Sequence, residues 1–127
     1  MTKTTAIHWN TLSAESDAGW TTVPGMEGIA EERILSLDPE TEEYTKLTRF
    51  LPGCDSTALG PKIHPYPEEI FVVSGRIYDA TFDRWLEPGD YISRGPFEVH
   101  GPFRTETGAV VLEVSFPQRV DEVSPDV

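Results

Sequence analysis

The sequence predicts an all-β domain, an antiparallel sandwich or barrel with little helix. Eleven prolines and ten glycines interrupt its 127 residues, which leaves little room for an uninterrupted amphipathic helix. Runs rich in Val, Ile, Thr, Tyr and Phe recur between these breakers, and the last apolar run alternates with period two. The length suits one domain. With 38% hydrophobic residues, including three Trp, six Phe and four Tyr, there is enough apolar surface to offset the entropy of ordering the chain.

Along the chain, residues 1–30 read as an N-terminal arm that packs on the barrel or on a dimer partner; they carry His8-Trp9, a Ser/Asp/Gly stretch and Trp20. Residues 28–37 form a turn or a short strand, and periodicity does not choose between them. Tyr44 to Leu51 is strand-like and stops at Pro52-Gly53. Ile70-Phe71-Val72-Val73 is an apolar run ended by Ser74-Gly75, and Arg76-Ile77-Tyr78 is expected to return as its hairpin partner. Pro88-Gly89 supplies the two central residues of a type II turn, followed by a strand over Asp90-Tyr91-Ile92-Ser93. Val110, Leu112, Val114 and Phe116 share one face of the last strand and are expected to point to the core. The barrel thus covers 31–117, and 118–127 is expected to be a flexible acidic tail.

Charge and cysteine content exclude several classes of function. With 22 acidic against 10 basic residues the net charge is −12, so nucleic acid and anionic membrane are poor partners. Cys54 is the lone cysteine; it forms no intrachain disulfide or thiolate cluster, reads as a small buried filler, and fits a reducing cytoplasm. Met1 to Ala6 lacks the apolar run of a signal peptide, and no stretch of about 20 apolar residues is present. The expectation is a cytoplasmic protein that binds a small molecule. A homodimer is also expected, because an exposed sheet edge and an arm bearing Trp9 and Trp20 invite strand exchange.

The segment with most chemistry is Lys62-Ile63-His64-Pro65-Tyr66-Pro67-Glu68-Glu69-Ile70. In an extended chain Lys62, His64, Tyr66 and Glu68 share one parity and point to one side of the sheet, while Glu69 has the opposite parity. Pro65 and Pro67 lack N–H groups, which places the segment at an edge or a strand mouth, where a barrel admits a ligand. His8 lies outside this pattern and reads as structural.

These residues resemble the cupin family. His64-x3-Glu68-x6-Gly75 matches the second half of the first cupin motif. In the second motif Gly89 stands at the first Gly and His100 at the His, with Gly95-Pro96-Phe97-Glu98-Val99 between them. Pro52-Gly53, Glu68-Glu69-Ile70 and His100-Gly101-Pro102 look most like the small single-domain cupins related to the cupin module of zinc-dependent anti-sigma factors and to diketone-cleaving dioxygenases. Lys62 occupies the place of the first motif His and Arg104 that of the closing Asn, so the ligand set is reduced.

The resemblance implies a jelly-roll barrel, the double-stranded β-helix, with His64, Glu68 and His100 as ligands of a divalent metal. Two imidazoles and one carboxylate suit Fe(II); Zn(II), Mn and Ni are the other candidates. Tyr66 and Lys62 would then act on the substrate, and Arg94 and Arg104 would bind it. The implied function is a non-haem Fe(II) dioxygenase of a small diketone or hydroxyketone. One alternative is a metal-free isomerase or lyase using His, Tyr and Lys as acids and bases; the other is a non-catalytic ligand- or zinc-binding sensor module. Three arrangements are open to the Lys62 ammonium: it turns away to water, pairs with Glu68 and abolishes metal binding, or stays near the metal as a substrate anchor.

Overall fold

The computed structural model describes Lys3, residues 6–13 and residues 19–116. Two antiparallel sheets face each other around one core. The larger runs in the order β1 (Thr21–Thr22), β2 (Ala30–Leu37), β3 (Tyr44–Phe50), β9 (Ala109–Ser115), β4 (Glu68–Gly75), β7 (Tyr91–Arg94), and the smaller in the order β6 (Arg84–Leu86), β5 (Ile77–Asp79), β8 (Phe103–Arg104). Ile77 and Leu86 of the small sheet join Val72, Ile92, Val111, Phe50 and Ala30 of the large one in a single buried cluster. This is the jelly-roll architecture expected from the sequence. A single turn of 3-10 helix lies at Thr57–Leu59. No described helix is long and apolar enough to cross a membrane.

Strand register decides what faces inward. Tyr44, Ser115, Glu68 and Arg94 lie side by side across β3, β9, β4 and β7. The next row is Lys46, Glu113, Ile70 and Ile92, and the one below it Thr48, Val111 and Val72. Paired residues on antiparallel strands share a face, so polar groups gather at one end of the interior and aliphatic ones at the other.

Two expectations change here and one open alternative is resolved. Residues 77–79 do not form a hairpin with β4: Gly75 takes φ 71° and the chain leaves the large sheet, so that β5 pairs with β6 and β8. The core face of β9 is not Val110, Leu112, Val114 and Phe116, for the buried residues are Ala109, Val111, Glu113 and Ser115, and Phe116 is exposed. The undecided 28–37 segment contains an eight-residue strand, β2. The turn at Pro88-Gly89 does close by a bond from Asp90 N to Glu87 O of 2.9 Å, with Gly89 at φ 96°.

On the outer face of β2, Arg33 is almost wholly buried. Its guanidinium lies 4.7 Å from the Trp20 ring and 5.5 Å from Trp9, and its Nη1 donates to the Thr11 carbonyl at 2.6 Å. Cation–π attraction is stronger in such a desolvated setting, and it ties these arm residues to the sheet. The expected tail, 118–127, lies outside the described residues.

Candidate metal centre

Three segments bring His64, Glu68 and His100 together. Glu68 opens β4, held between Ser115 and Arg94. His100 precedes β8 and is locked to Lys62 by a bridge of two backbone hydrogen bonds, 2.7 and 2.9 Å. His64 sits between that bridge and β4, where Pro65 and Pro67 keep the chain out of the ladder; Phe97 N donates to its carbonyl at 2.8 Å. One donor atom from each of the three side chains lies within 4.8 Å of the others.

The side chains are oriented as ligands. His64 Nδ1 lies 2.8 Å from the Tyr66 carbonyl. A carbonyl only accepts, so Nδ1 carries the proton and Nε2 is left with its lone pair. That Nε2 is 3.8 Å from Glu68 Oε2, and His100 Nδ1 is 3.7 Å from Glu68 Oε1. Tyr66 stacks flat on the His64 ring, with centroids 3.8 Å apart and planes within 9°. The Tyr44 hydroxyl donates to Glu68 Oε2 at 3.0 Å, which leaves Oε1 the freer oxygen.

Burial sets the protonation states. It holds His64 below the ordinary imidazole range. His100 is brought down to about 4 by burial first, then by the neighbouring His64 and Arg94. Both rings are therefore neutral near pH 7, the form in which imidazole binds metal. Burial raises the Glu68 carboxyl, and the Tyr44 hydrogen bond opposes the rise. Glu113 is pushed up to about 7 by burial and then by Glu68.

The three side chains line a cavity of about 320 Å³ together with Tyr44, Lys46, Tyr66, Asp79, Arg94 and Glu113. Its aliphatic end is formed by residues such as Ile77, Leu86, Ile92 and Val111. Lys62 lies at its margin with an exposed side chain, and no ion pair joins it to Glu68 among the described residues. Arg94 is buried beside the triad, its Nη2 on the Asp79 carboxylate and its Nε donating to the Val99 carbonyl at 3.2 Å. Arg104 is elsewhere: it is exposed on the small sheet, 4.6 Å from the Tyr78 ring and 5.4 Å from Trp85, and is not part of the cavity lining.

Tyr44, Lys46, Asp79 and Glu113 were not legible as site residues. Lys46 Nζ is 2.7 Å from Glu32 and 3.5 Å from Glu113. One signal did exist, since a glutamate interrupts the apolar run of the last strand on the parity opposite to Leu112 and Val114.

The residues present fit a divalent cation. His64 Nε2 and His100 Nε2 are buried without a hydrogen-bond partner, a cost of about 1–3 kcal/mol each unless something fills the gap. Metal bonds to such donors are about 2.0–2.2 Å, so two ligand atoms on one ion are at most about 4.4 Å apart. His64 Nε2 to Glu68 Oε2, at 3.8 Å, and His100 Nδ1 to Glu68 Oε1, at 3.7 Å, are within that limit, and the spread of the three donor atoms, up to 4.8 Å, asks the side chains to draw in by a few tenths of an ångström around an ion. Among the lining residues three acids, Glu68, Asp79 and Glu113, stand with Lys46 and Arg94 and with Lys62 at the margin.

Known folds are similar over most of the chain. An RmlC-like cupin from Shewanella frigidimarina is 18% identical with a TM-score of 0.67, covering 97% of this chain and 100% of that one. An acetylacetone dioxygenase from Acinetobacter johnsonii is 18% identical with a TM-score of 0.64, covering 92% and 78%. The Rhodobacter sphaeroides structure of SigE in complex with the anti-sigma ChrR matches at 19% identity and a TM-score of 0.56, covering 76% of this chain and 48% of that one. At these identities the likeness concerns the fold. No curated protein sequence matches the chain. The model of the ChrR cupin-like domain matches residues 4–117, nearly the whole sequence, and with that span, the jelly-roll fold and the paired histidine motifs together, the chain belongs to the ChrR cupin-like family.

Proposed function

We propose that this chain is a metal-dependent cupin acting on a small carbonyl compound, of the non-haem Fe(II) dioxygenase kind. The observation that carries this reading is the convergence of two imidazoles, each with a buried and partnerless Nε2, and one carboxylate on the wall of a small cavity. Two histidines and one carboxylate are the ligand set of non-haem Fe(II) oxygenases, which leaves positions open for other ligands. The likeness to the acetylacetone dioxygenase of Acinetobacter johnsonii supports a dicarbonyl substrate.

Fe(II) bound there would polarise a chelated dicarbonyl toward its enolate and supply electrons to oxygen. The protein's own residues do the rest. Tyr44 steers Glu68 by occupying Oε2, and the Tyr66 carbonyl fixes the His64 tautomer. The aliphatic end of the cavity shields the substrate from water. Lys62, solvated at the margin, is placed to meet an incoming ligand. A second reading, a zinc-binding module without turnover, is favoured by the ChrR likeness.

Elemental analysis of protein purified without added metal tests the first step. About one equivalent of iron or zinc per chain is expected, and His100→Ala should lose it while keeping its circular dichroism, because His100 contributes to the site more than to the apolar core. A wild-type protein without metal, and unable to take it up, would rule out both metal readings. Oxygen consumption on the iron-loaded protein, tried with both acetylacetone and acetoacetate, separates the enzyme from the sensor module.

A further inference from the structure

We infer that the organic ligand of this site carries a carboxylate held by Arg94, and that its class is the β-oxo acid and not the neutral β-diketone; this rests on the metal reading above.

Arg94 is 3% exposed and lines the cavity. Two of its three nitrogens are engaged, Nη2 with Asp79 and Nε with the Val99 carbonyl. Nη1 is buried and has no hydrogen-bond partner. A buried charged donor left unpaired is costly, and the rest of the side chain cannot shift to relieve it. Asp79 fixes one edge of the guanidinium and is itself fixed, accepting from Thr81 N at 2.9 Å and from Gly101 N at 3.3 Å. The Phe82 ring lies 4.8 Å from the guanidinium carbon. The free nitrogen is thus presented by a rigid support.

Its position suits a ligand that also reaches the metal. Arg94 and Glu68 are directly paired across β7 and β4 on the inner face, and directly opposed residues have Cβ atoms about 4.5–5.5 Å apart. A molecule with two oxygens separated by a few bonds could occupy the metal and Nη1 together. The cavity volume of about 320 Å³ limits it to a small molecule.

The unpartnered donor is cationic and shut off from water, a setting in which an anionic partner compensates it more fully than a neutral diketone oxygen does. A guanidinium–carboxylate hydrogen bond is charged on both sides, and ionised partners shorten and strengthen such bonds.

Calorimetry on the full-length zinc-loaded protein tests this with acetoacetate and its neutral isostere acetoacetamide. Acetoacetate is expected to bind at least about tenfold tighter. Arg94→Lys keeps a cation for Asp79 but has no second nitrogen for the ligand, so it should abolish the preference while zinc stoichiometry stays at the wild-type value. Equal affinity of wild type for the two compounds overturns the inference whether or not the variant folds. A preference that survives in folded Arg94→Lys overturns the assignment to Arg94. Failure of the wild-type chain to take up zinc would instead sink the metal reading, and this inference with it.

Discussion

At the scale of single residues, Lys62 is tied to the site through its backbone while its side chain is exposed at the cavity margin. Its antiparallel bridge to His100 puts the two side chains on the same side of the ladder. The residue is exposed, and its long aliphatic stem lets the ammonium reach water. A shorter side chain at this position would stop beside the His100 ring. Lys62→His is therefore expected to add a fourth ligand, a third imidazole nitrogen, and raise zinc affinity by about tenfold or more. If the site is an oxygenase, turnover should fall, because a position needed by substrate or oxygen is closed. Zinc affinity measured by competition with a chelator checks the first part, and unchanged affinity would mean that residue 62 cannot reach the ion.

Among the elements, β4 does most to build the site, since it begins with a metal ligand and ends by leaving the sheet. The departure needs Gly75, whose φ is 71° and where a Cβ would come within 2.1 Å of the Gly108 carbonyl oxygen. The obstacle is the backbone of β9's approach, which cannot rotate aside as a side chain could. Gly75→Ala should cost about 3 kcal/mol or more, read as a fall in the urea midpoint or a failure to accumulate folded protein. A near-neutral result would show that the crossing from large to small sheet tolerates a different path. The same geometry explains the closing glycine of the first motif: it serves the strand crossing and not the metal.

For the molecule as a whole, burying acids and histidines on one wall couples stability to pH and to metal. Glu113 is pushed up to about 7. In the metal-free protein the folded chain therefore keeps a proton between about pH 4.5 and 7 that the unfolded chain has released, and this contribution to stability is lost as pH rises. His100, brought down to about 4, acts in the opposite sense: between about pH 4 and 6.5 the unfolded chain holds a proton that the folded one refuses, so stability is lost as pH falls. Glu113→Gln removes only the first effect. Thermal melts of chelator-treated protein should show the variant gaining on wild type steadily as pH rises from about 4.5 to 7.5; a constant difference would mean that Glu113 titrates normally. Metal adds a further term, since a ligand at a hundredfold excess over its Kd stabilises by about 2.7 kcal/mol. Zinc should raise the melting temperature of wild type by several degrees and leave a His64→Ala/His100→Ala double variant unmoved.

Local sequence was enough for the all-β class, for the cores of β3, β4, β7 and β9, and for the turn at Pro88-Gly89, because each depends on neighbours a few residues apart. The trio His64, Glu68 and His100 was legible as well, through the spacing of two motifs. Tyr44, Lys46, Asp79 and Glu113, and the partner of each strand, were not. Their meeting depends on register between segments far apart in the chain, and a one-residue slip would turn every side chain to the other face. Periodicity also misled at β9 for a physical reason. The rule that the more apolar face points inward assumes a filled core, and here the polar end of the interior is an open cavity, so Glu113 and Ser115 face in while Val110, Leu112 and Val114 face out. Residue types and spacing chose the candidate ligands, and only the closed pair of sheets decided which other charges would stand around them.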